Sequence, residues 1–401
     1  MDSFEQLRQW LSDEARFLDT NGEVFERFCR EIIGRGVPLD RSWLHIRTLH
    51  PQYAGVSRLW VQGASMRETF LPHDFESRST YLTSPIRYAV ENRRSGRWRL
   101  KDGALLPFPM LAELRAEGYC DYLVAPLLYS DRTPNAITWS TRAEGGFEES
   151  QVKLLQELIP AYSAVAEIKS LRRFAINMLQ TYTGREPGEL ILKGQIRRGD
   201  VRNITAALML IDLRDFTLMS DRLEPTAVIE TLNRYFDSVM IPVKRHGGEV
   251  MEIMGDGVLA IFNDSLGGPG DACRRAFAAA TEGLMALARS NQGGDGHDKL
   301  VAGFALHHGS VAYGNIGSGD RLDFTVIGRD VNLTSRIEKL CRELGRQLIM
   351  SKLFVRMLEE PMFEIGHFAL RGVPEMQLLY GLPPDFPIDD AAAVAAPSDE
   401  E

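Results

Sequence analysis

The stretch Gly247-Gly-Glu-Val-Met-Glu-Ile-Met-Gly-Asp-Gly-Val-Leu-Ala-Ile-Phe262 decides the fold of the C-terminal half. Two runs of strand character, Val250–Met254 and Gly257–Phe262, flank Gly255-Asp256, and such a pair between strands reads as a tight hairpin. Upstream lies the apolar run Ala206–Ile211, a buried strand by its length and continuity, closed by Asp212. Helical segments at Pro225–Tyr235 and Phe236–Arg245 separate it from the hairpin. Downstream come a helix over Asp271–Ala288, strands at Leu300–His307 and Leu322–Ile327, and a helix over Val331–Leu344. Short strands follow at Gln347–Ser351, Phe368–Leu370 and Met376–Gly381. This order predicts an α+β fold with a mostly antiparallel sheet.

The chain has 401 residues, more than one ordinary domain needs, with 44% hydrophobic and 25% charged residues, which excludes wholesale disorder. The net charge is −9, and six acidic residues lie after Leu382, so the rest is close to neutral and has no general attraction for nucleic acid or anionic membrane. Cys29, Cys120, Cys273 and Cys341 are far apart and form no C-x-x-C, which predicts reduced thiols. No run of 18 apolar residues exists, and the acidic, amphipathic start is unlike a signal peptide, so the expectation is a soluble, cytoplasmic protein without a transmembrane segment.

Asp212 at a strand end and Asp256 at a hairpin tip are each ordinary turn residues when taken singly. Together they place two carboxylates at one sheet edge, where they repel unless a cation intervenes, and hard oxygen donors suit Mg²⁺ or Mn²⁺. His307 and His308 are adjacent on a strand, so their rings face opposite ways and form no chelate. Asn332 and Arg336 are four apart on a helix and share a face, where an amide and a guanidinium suit a ribose oxygen and a phosphoryl group; a solvated polar face is the alternative.

Three motifs in this order resemble the catalytic domain of class III nucleotidyl cyclases: Leu210-Ile-Asp-Leu-Arg-Asp-Phe-Thr217, the 247–262 hairpin, and Asp323-Phe-Thr-Val-Ile-Gly-Arg-Asp-Val-Asn-Leu-Thr-Ser-Arg336. The resemblance implies a ferredoxin-like βαββαβ core and two-metal phosphoryl transfer. Asp212 and Asp256 would hold two divalent ions, Mg²⁺ or Mn²⁺, with help from the backbone carbonyl of Leu213. Phe216 and Thr217 would offer backbone N–H groups to the phosphates, and Asn332 would orient the ribose. Arg336 would offset charge growing at the α-phosphate, Arg371 stands where the family usually carries a triphosphate-binding Lys, and Arg321 is a further phosphate candidate. In this family the metal aspartates and the Asn/Arg pair of one site come from different subunits, so a homodimer with two interfacial sites is implied.

Common bacterial adenylate cyclases have Lys four residues before the hairpin Asp; this chain has Glu252, as the family's guanylate cyclases do. A carboxylate accepts from guanine N1–H and the exocyclic amine, whereas adenine N1 would meet it lone pair to lone pair. Thr325, at the second base-contacting position, donates to guanine O6 or accepts from the adenine amine. GTP is the expected substrate, with ATP the alternative. Asp215 stands where the family often has Gly, near the triphosphate. A catalytically silent nucleotide-binding module is the competing reading, and a diguanylate-forming enzyme is disfavoured because no Gly-Gly-[Asp/Glu]-Glu-Phe hairpin occurs.

Residues 1–150 alternate helices (4–18, 22–34, 85–94, 110–117) with strand-like runs (43–49, 57–61, 122–128, 135–140), an order similar to GAF- or PAS-like sensor domains. The resemblance implies an unidentified small-molecule or protein signal. Phe147–Gln180 reads as a long helix interrupted at Pro160, followed by a Gly-rich polar linker to 203. The expected layout is therefore a sensor at 1–150, a helical signalling and dimerisation linker at 151–203, a catalytic domain at 204–382, and an acidic disordered tail at 383–401.

Overall fold

The computed structural model describes residues 3–101, 103–292, 298–319, 321–384 and 386. Most of the expected acidic tail lies outside the described residues. The chain divides into two compact units, Met1–Met178 and Leu179–Glu401.

In the first unit, α1 (Ser3–Asp13) and α2 (Asn21–Gly34) precede the strands β1 (Arg41–His50), β2 (Tyr53–Val61) and β3 (Arg67–Leu71). Then come α3 (Ser79–Leu82), α4 (Pro85–Asn92), β4 (Gly96–Arg99), α5 (Pro109–Ala116), β5 (Asp121–Leu128), β6 (Pro134–Thr141) and α6 (Glu149–Thr183). The six strands pair antiparallel in the order β3-β2-β1-β6-β5-β4. Strand alternation sends Leu44, Ile46, Leu123, Ala125, Ile137 and Trp139 to a face covered by α1, α2 and α6. Tyr122, Val124 and Ala136 face the other way, against α4 and α5.

Two expectations are corrected here. The first turns of α6 are no free linker: Val152, Leu155, Leu158, Tyr162 and Val165 are buried in the first unit's core, each such apolar side chain contributing about 2 kcal/mol by burial. The unit boundary falls after Met178 rather than at 150, and Pro160 lies inside the helix without ending it. Strands β3 and β4 escaped the sequence because both are short sheet edges of mostly polar residues.

In the second unit, α7 (Arg185–Leu192) leads to β7 (Val201–Leu213), α8 (Phe216–Arg222) and α9 (Pro225–Arg245). The hairpin β8 (Glu249–Met254) and β9 (Gly257–Asn263) follows, then α10 (Pro269–Gln292), β10 (Ala302–Ser318), β11 (Arg321–Ile327) and α11 (Arg329–Glu343). The unit ends with β12 (Leu348–Ser351), α12 (Lys352–Leu358), β13 (Phe363–Phe368) and β14 (Gln377–Gly381). The stretch expected to be a linker thus contains α7, whose Leu190 and Ile191 pack on the sheet.

The sheet runs β13-β14-β12-β10-β7-β9-β8, with β11 paired to the outer half of β10. The unit's first four strands in the chain stand in the order β8-β9-β7-β10, all antiparallel, as a βαββαβ ferredoxin-like core requires. Strand β7 is central: Ala207, Met209 and Ile211 face α9 and α10, while Ala206, Leu208 and Leu210 face Tyr313, Phe324 and α7. Coverage on both faces explains its unbroken apolar run. Among the described residues no helix is long and apolar enough to cross a membrane.

Candidate active site

Strand β7 delivers Asp212, half-buried, beside the β8–β9 turn. Met254 pairs with Gly257, so Gly255-Asp256 is a two-residue turn, and Gly255 takes φ +67°, which glycine supplies without steric cost. The turn abuts Asp212: its Oδ1 lies 3.4 Å from where a Cβ on Gly257 would stand. Burial, and then the Asp256 charge, push the Asp212 carboxyl up to about 6, against the pull of Arg342 and Lys339. Burial raises Asp256 as well. Two carboxylates that resist ionising together are relieved by a divalent cation, so this pair fits the metal role. Leu213 is buried, its backbone continuing the edge beside Asp212.

Two floor residues were not anticipated. Glu338 of α11 is pushed up to about 7 by burial and by Asp212, and its Oε1 lies 2.9 Å from a Cβ position on Gly303, the cross-strand partner of Asp212. The Tyr235 hydroxyl, fully buried, is held far above its usual range by burial and then by Asp212, Asp256 and Glu338. A helical wheel contained the signal for Glu338, since it shares the α11 flank of buried Thr334 and Cys341.

At the start of α8, Phe216 packs on the core and Thr217 is exposed, and the first-turn N–H groups have no intrahelical acceptor. Asp215, just before them, has φ +58°, the left-handed region that explains glycine at this place. Its charge is matched by an ion pair with Arg342.

The base-reading candidates meet. Thr325 Oγ1 donates to Glu252 Oε2 at 3.3 Å, bridging β11 and β8. Arg336 lies along the loop after β13, its Nη2 3.4 Å from a Cβ position on Gly372 and thus next to Arg371, which is exposed, as is Asn332. Arg321 opens β11 opposite Ser318, four strand residues or roughly 13 Å from Thr325, and joins none of these groups.

Arg336 and Glu338 are two apart on α11, hence about 200° apart around it. Glu338 faces this chain's own aspartates, so Arg336 turns away from them. Within one chain the carboxylates and the Asn332/Arg336 pair therefore do not converge.

Residues 201–380 match the family model described as the adenylate and guanylate cyclase catalytic domain. Adenylate cyclase 1 of Rhizobium meliloti is 31% identical over 206 residues, covering 48% of this chain and 30% of the relative. The adenylate cyclase of Anabaena cylindrica is 32% identical over 157 residues, covering 38% and 31%. The chain thus spans under a third of the length of these relatives. The solved guanylyl cyclase Cya2 is 31% identical, with TM-score 0.41 and coverage of 48% of this chain and 98% of that one.

Proposed function

From a C-terminal unit that belongs to the class III nucleotidyl cyclase family, we propose that the protein converts GTP to 3′,5′-cyclic GMP and pyrophosphate at sites shared by two copies of the chain. The base assignment is carried by one observation: Glu252, an acceptor for guanine N1–H and N2–H, is held by Thr325 at 3.3 Å.

In the reaction the ribose 3′-oxygen bonds to the α-phosphorus, the bond from that phosphorus to the β-bridging oxygen breaks, and the hydroxyl proton passes to solvent. Asp212, Asp256 and the Leu213 carbonyl hold the divalent ions, Mg²⁺ or Mn²⁺. Bound there, these supply charge neutralisation at the phosphates and a more acidic 3′-hydroxyl. The N–H groups of Phe216 and Thr217 meet phosphate oxygens at the α8 N-terminus. Asn332 of the partner subunit orients the ribose, while Arg336 of the partner subunit, with the partner's Arg371 beside it, takes up charge on the phosphates. Arg321 is left without a role. The opposed facing of Arg336 and Glu338 supports the shared site, because one chain alone keeps its guanidinium away from its own carboxylates.

The first unit, an antiparallel sheet with helices on both faces, serves in this reading as a GAF/PAS-like sensor for a small molecule or protein. Helix α6 runs past this unit's end at Met178 to Thr183, two residues before α7 begins. The setting proposed is cytoplasmic, with no nucleic-acid partner. The second reading, ATP to cyclic AMP, is favoured by the names of the relatives.

Purified protein with Mn²⁺, given GTP and ATP separately, tests this. Cyclic GMP lost in Asp256→Ala supports the proposal; cyclic AMP alone overturns the base assignment, and no product from either nucleotide overturns the activity.

A further inference from the structure

Helix α11 begins without a side-chain cap, because Gly328 precedes it. Its first turn is tied to the sheet by Asp330 instead. Asp330 Oδ2 accepts from Ser310 N at 2.7 Å. Its Oδ1 lies 3.6 Å from His307 Nε2, just beyond hydrogen-bond reach. His307 Nδ1 stands 2.8 Å from Ser351 Oγ, which also accepts from Phe354 N at 3.3 Å and so caps α12. In one assignment Ser351 donates its hydroxyl to Nδ1, which leaves the buried Nε2–H facing the carboxylate without a hydrogen-bond partner. The approach is close enough that a Cβ on Gly309 would lie 2.3 Å from Asp330 Oδ2. Gly309 carries no positive φ, so a side chain there would strain no backbone but would press on Asp330.

Serine, histidine and aspartate in sequence invite a hydrolytic reading. Ser351 and His307 are 3% and 1% exposed, and the hydroxyl is committed to a helix cap, so no substrate reaches them.

We propose that His307 is a positioning residue for nucleotide cyclisation: through Asp330 it fixes the first turn of α11, and with it the angle at which Asn332 meets the ribose. The inference rests on the cyclase reading. Asn332 lies two residues beyond Asp330, exposed, and depends on that turn for its placement. Thr334 Oγ1 donates to the Asp330 carbonyl at 2.8 Å, so the turn moves as a unit. Arg336, one turn further on, packs beside Gly372 and is less affected.

The test compares His307→Gln with His307→Asn in the full-length protein, alongside Gly309→Ala, by steady-state kinetics, hydrogen exchange over 328–334 and thermal melting. Glutamine keeps an amide in reach of Asp330; asparagine reaches only Ser351. The expected result is kcat reduced about 10- to 100-fold in His307→Asn with KM within about twofold, since ribose misalignment costs rate more than binding. Exchange over 328–334 should rise, His307→Gln should recover most of the rate, and Gly309→Ala should reproduce the asparagine defect by displacing Asp330 from outside. Wild-type kcat in His307→Asn overturns the proposal. So does a loss in which kcat, KM and melting temperature fall together and glutamine rescues nothing, which marks a packing role. A wild-type protein that makes no cyclic nucleotide sinks the cyclase reading instead; the exchange comparison then decides the tether, and unchanged protection in His307→Asn overturns it.

Discussion

Thr325 donates its hydroxyl proton to Glu252 across 3.3 Å, tying together the two residues proposed to read the base. With that proton engaged, the pair offers outward acceptors, the free carboxylate oxygen and the Oγ lone pairs, and the hydroxyl donates to guanine O6 only on turning away from Glu252. Guanine presents N1–H and N2–H to such an edge, whereas adenine presents one amine and an acceptor at N1.

Glu252→Lys should therefore turn preference from GTP toward ATP, changing the ratio of kcat/KM values by roughly 10²-fold or more, because a site that hydrogen-bonds its substrate rejects one that leaves those groups unpaired. Product chromatography with each nucleotide measures it. Thr325→Ala frees the carboxylate to rotate and should weaken the preference by a smaller factor.

Asp256→Asn separates stability from activity. Burial and mutual repulsion raise Asp212 toward 6, so the ionised pair destabilises the metal-free protein at neutral pH. The variant should melt higher than wild type in chelator, lose the stabilisation that Mn²⁺ gives the wild type, and lose at least about a hundredfold in turnover. A lower melting temperature in chelator would contradict the repulsion.

Glu249 makes a pH dependence of defined sign. Its carboxylate, at the start of β8, accepts from Glu186 N at 2.7 Å and faces the Tyr313 hydroxyl at 3.4 Å, with Glu186 itself paired to Arg202. Burial lifts it from 4.5 to about 7. The folded state thus holds a proton that the unfolded chain has released, so stability falls as pH rises from about 4.5 to about 7 and levels off above. Glu249→Gln should flatten part of this slope in melts across the window, leaving the contributions of Asp212 and Glu338, which share the sign.

At Asp215 the backbone is left-handed. Asp215→Gly should keep the fold, while Asp215→Ala should cost about 1 kcal/mol in chemical denaturation. Arg342→Ala leaves the Asp215 charge unmatched near the triphosphate and should raise KM several-fold with kcat little changed.

Mixing two dead variants tests the shared site. Asp256→Ala chains co-expressed with Arg336→Ala chains should regain about a quarter of wild-type activity, since half of randomly paired dimers are mixed and each mixed dimer has one intact site. No recovery in mixed dimers isolated by two tags would refute the sharing.

What was legible in the sequence follows from physics. Ala206–Ile211 was readable because a strand covered on both faces needs no polar alternation, and Gly255-Asp256 because a two-residue turn restricts its occupants. Helix α7 was not, since Gly and Pro within Arg-Glu-Pro-Gly-Glu argue against a helix, and it is held by contacts distant in sequence: the docking of Leu190 and Ile191 and the ties of Glu186 to Glu249 and Arg202. The floor residues Glu338 and Tyr235 and the His307–Asp330 contact join elements far apart in the chain, which no local pattern reports.

The opposed faces of α11 carry one more consequence. In the proposed dimer this helix belongs to two sites at once: Glu338 floors the carboxylates of its own chain while Asn332 and Arg336 serve the nucleotide bound against the other. Whatever tilts the helix to grip one nucleotide also alters the bed on which the other site's metals rest. The two sites then titrate as a coupled pair, and nucleotide saturation should depart from a simple hyperbola.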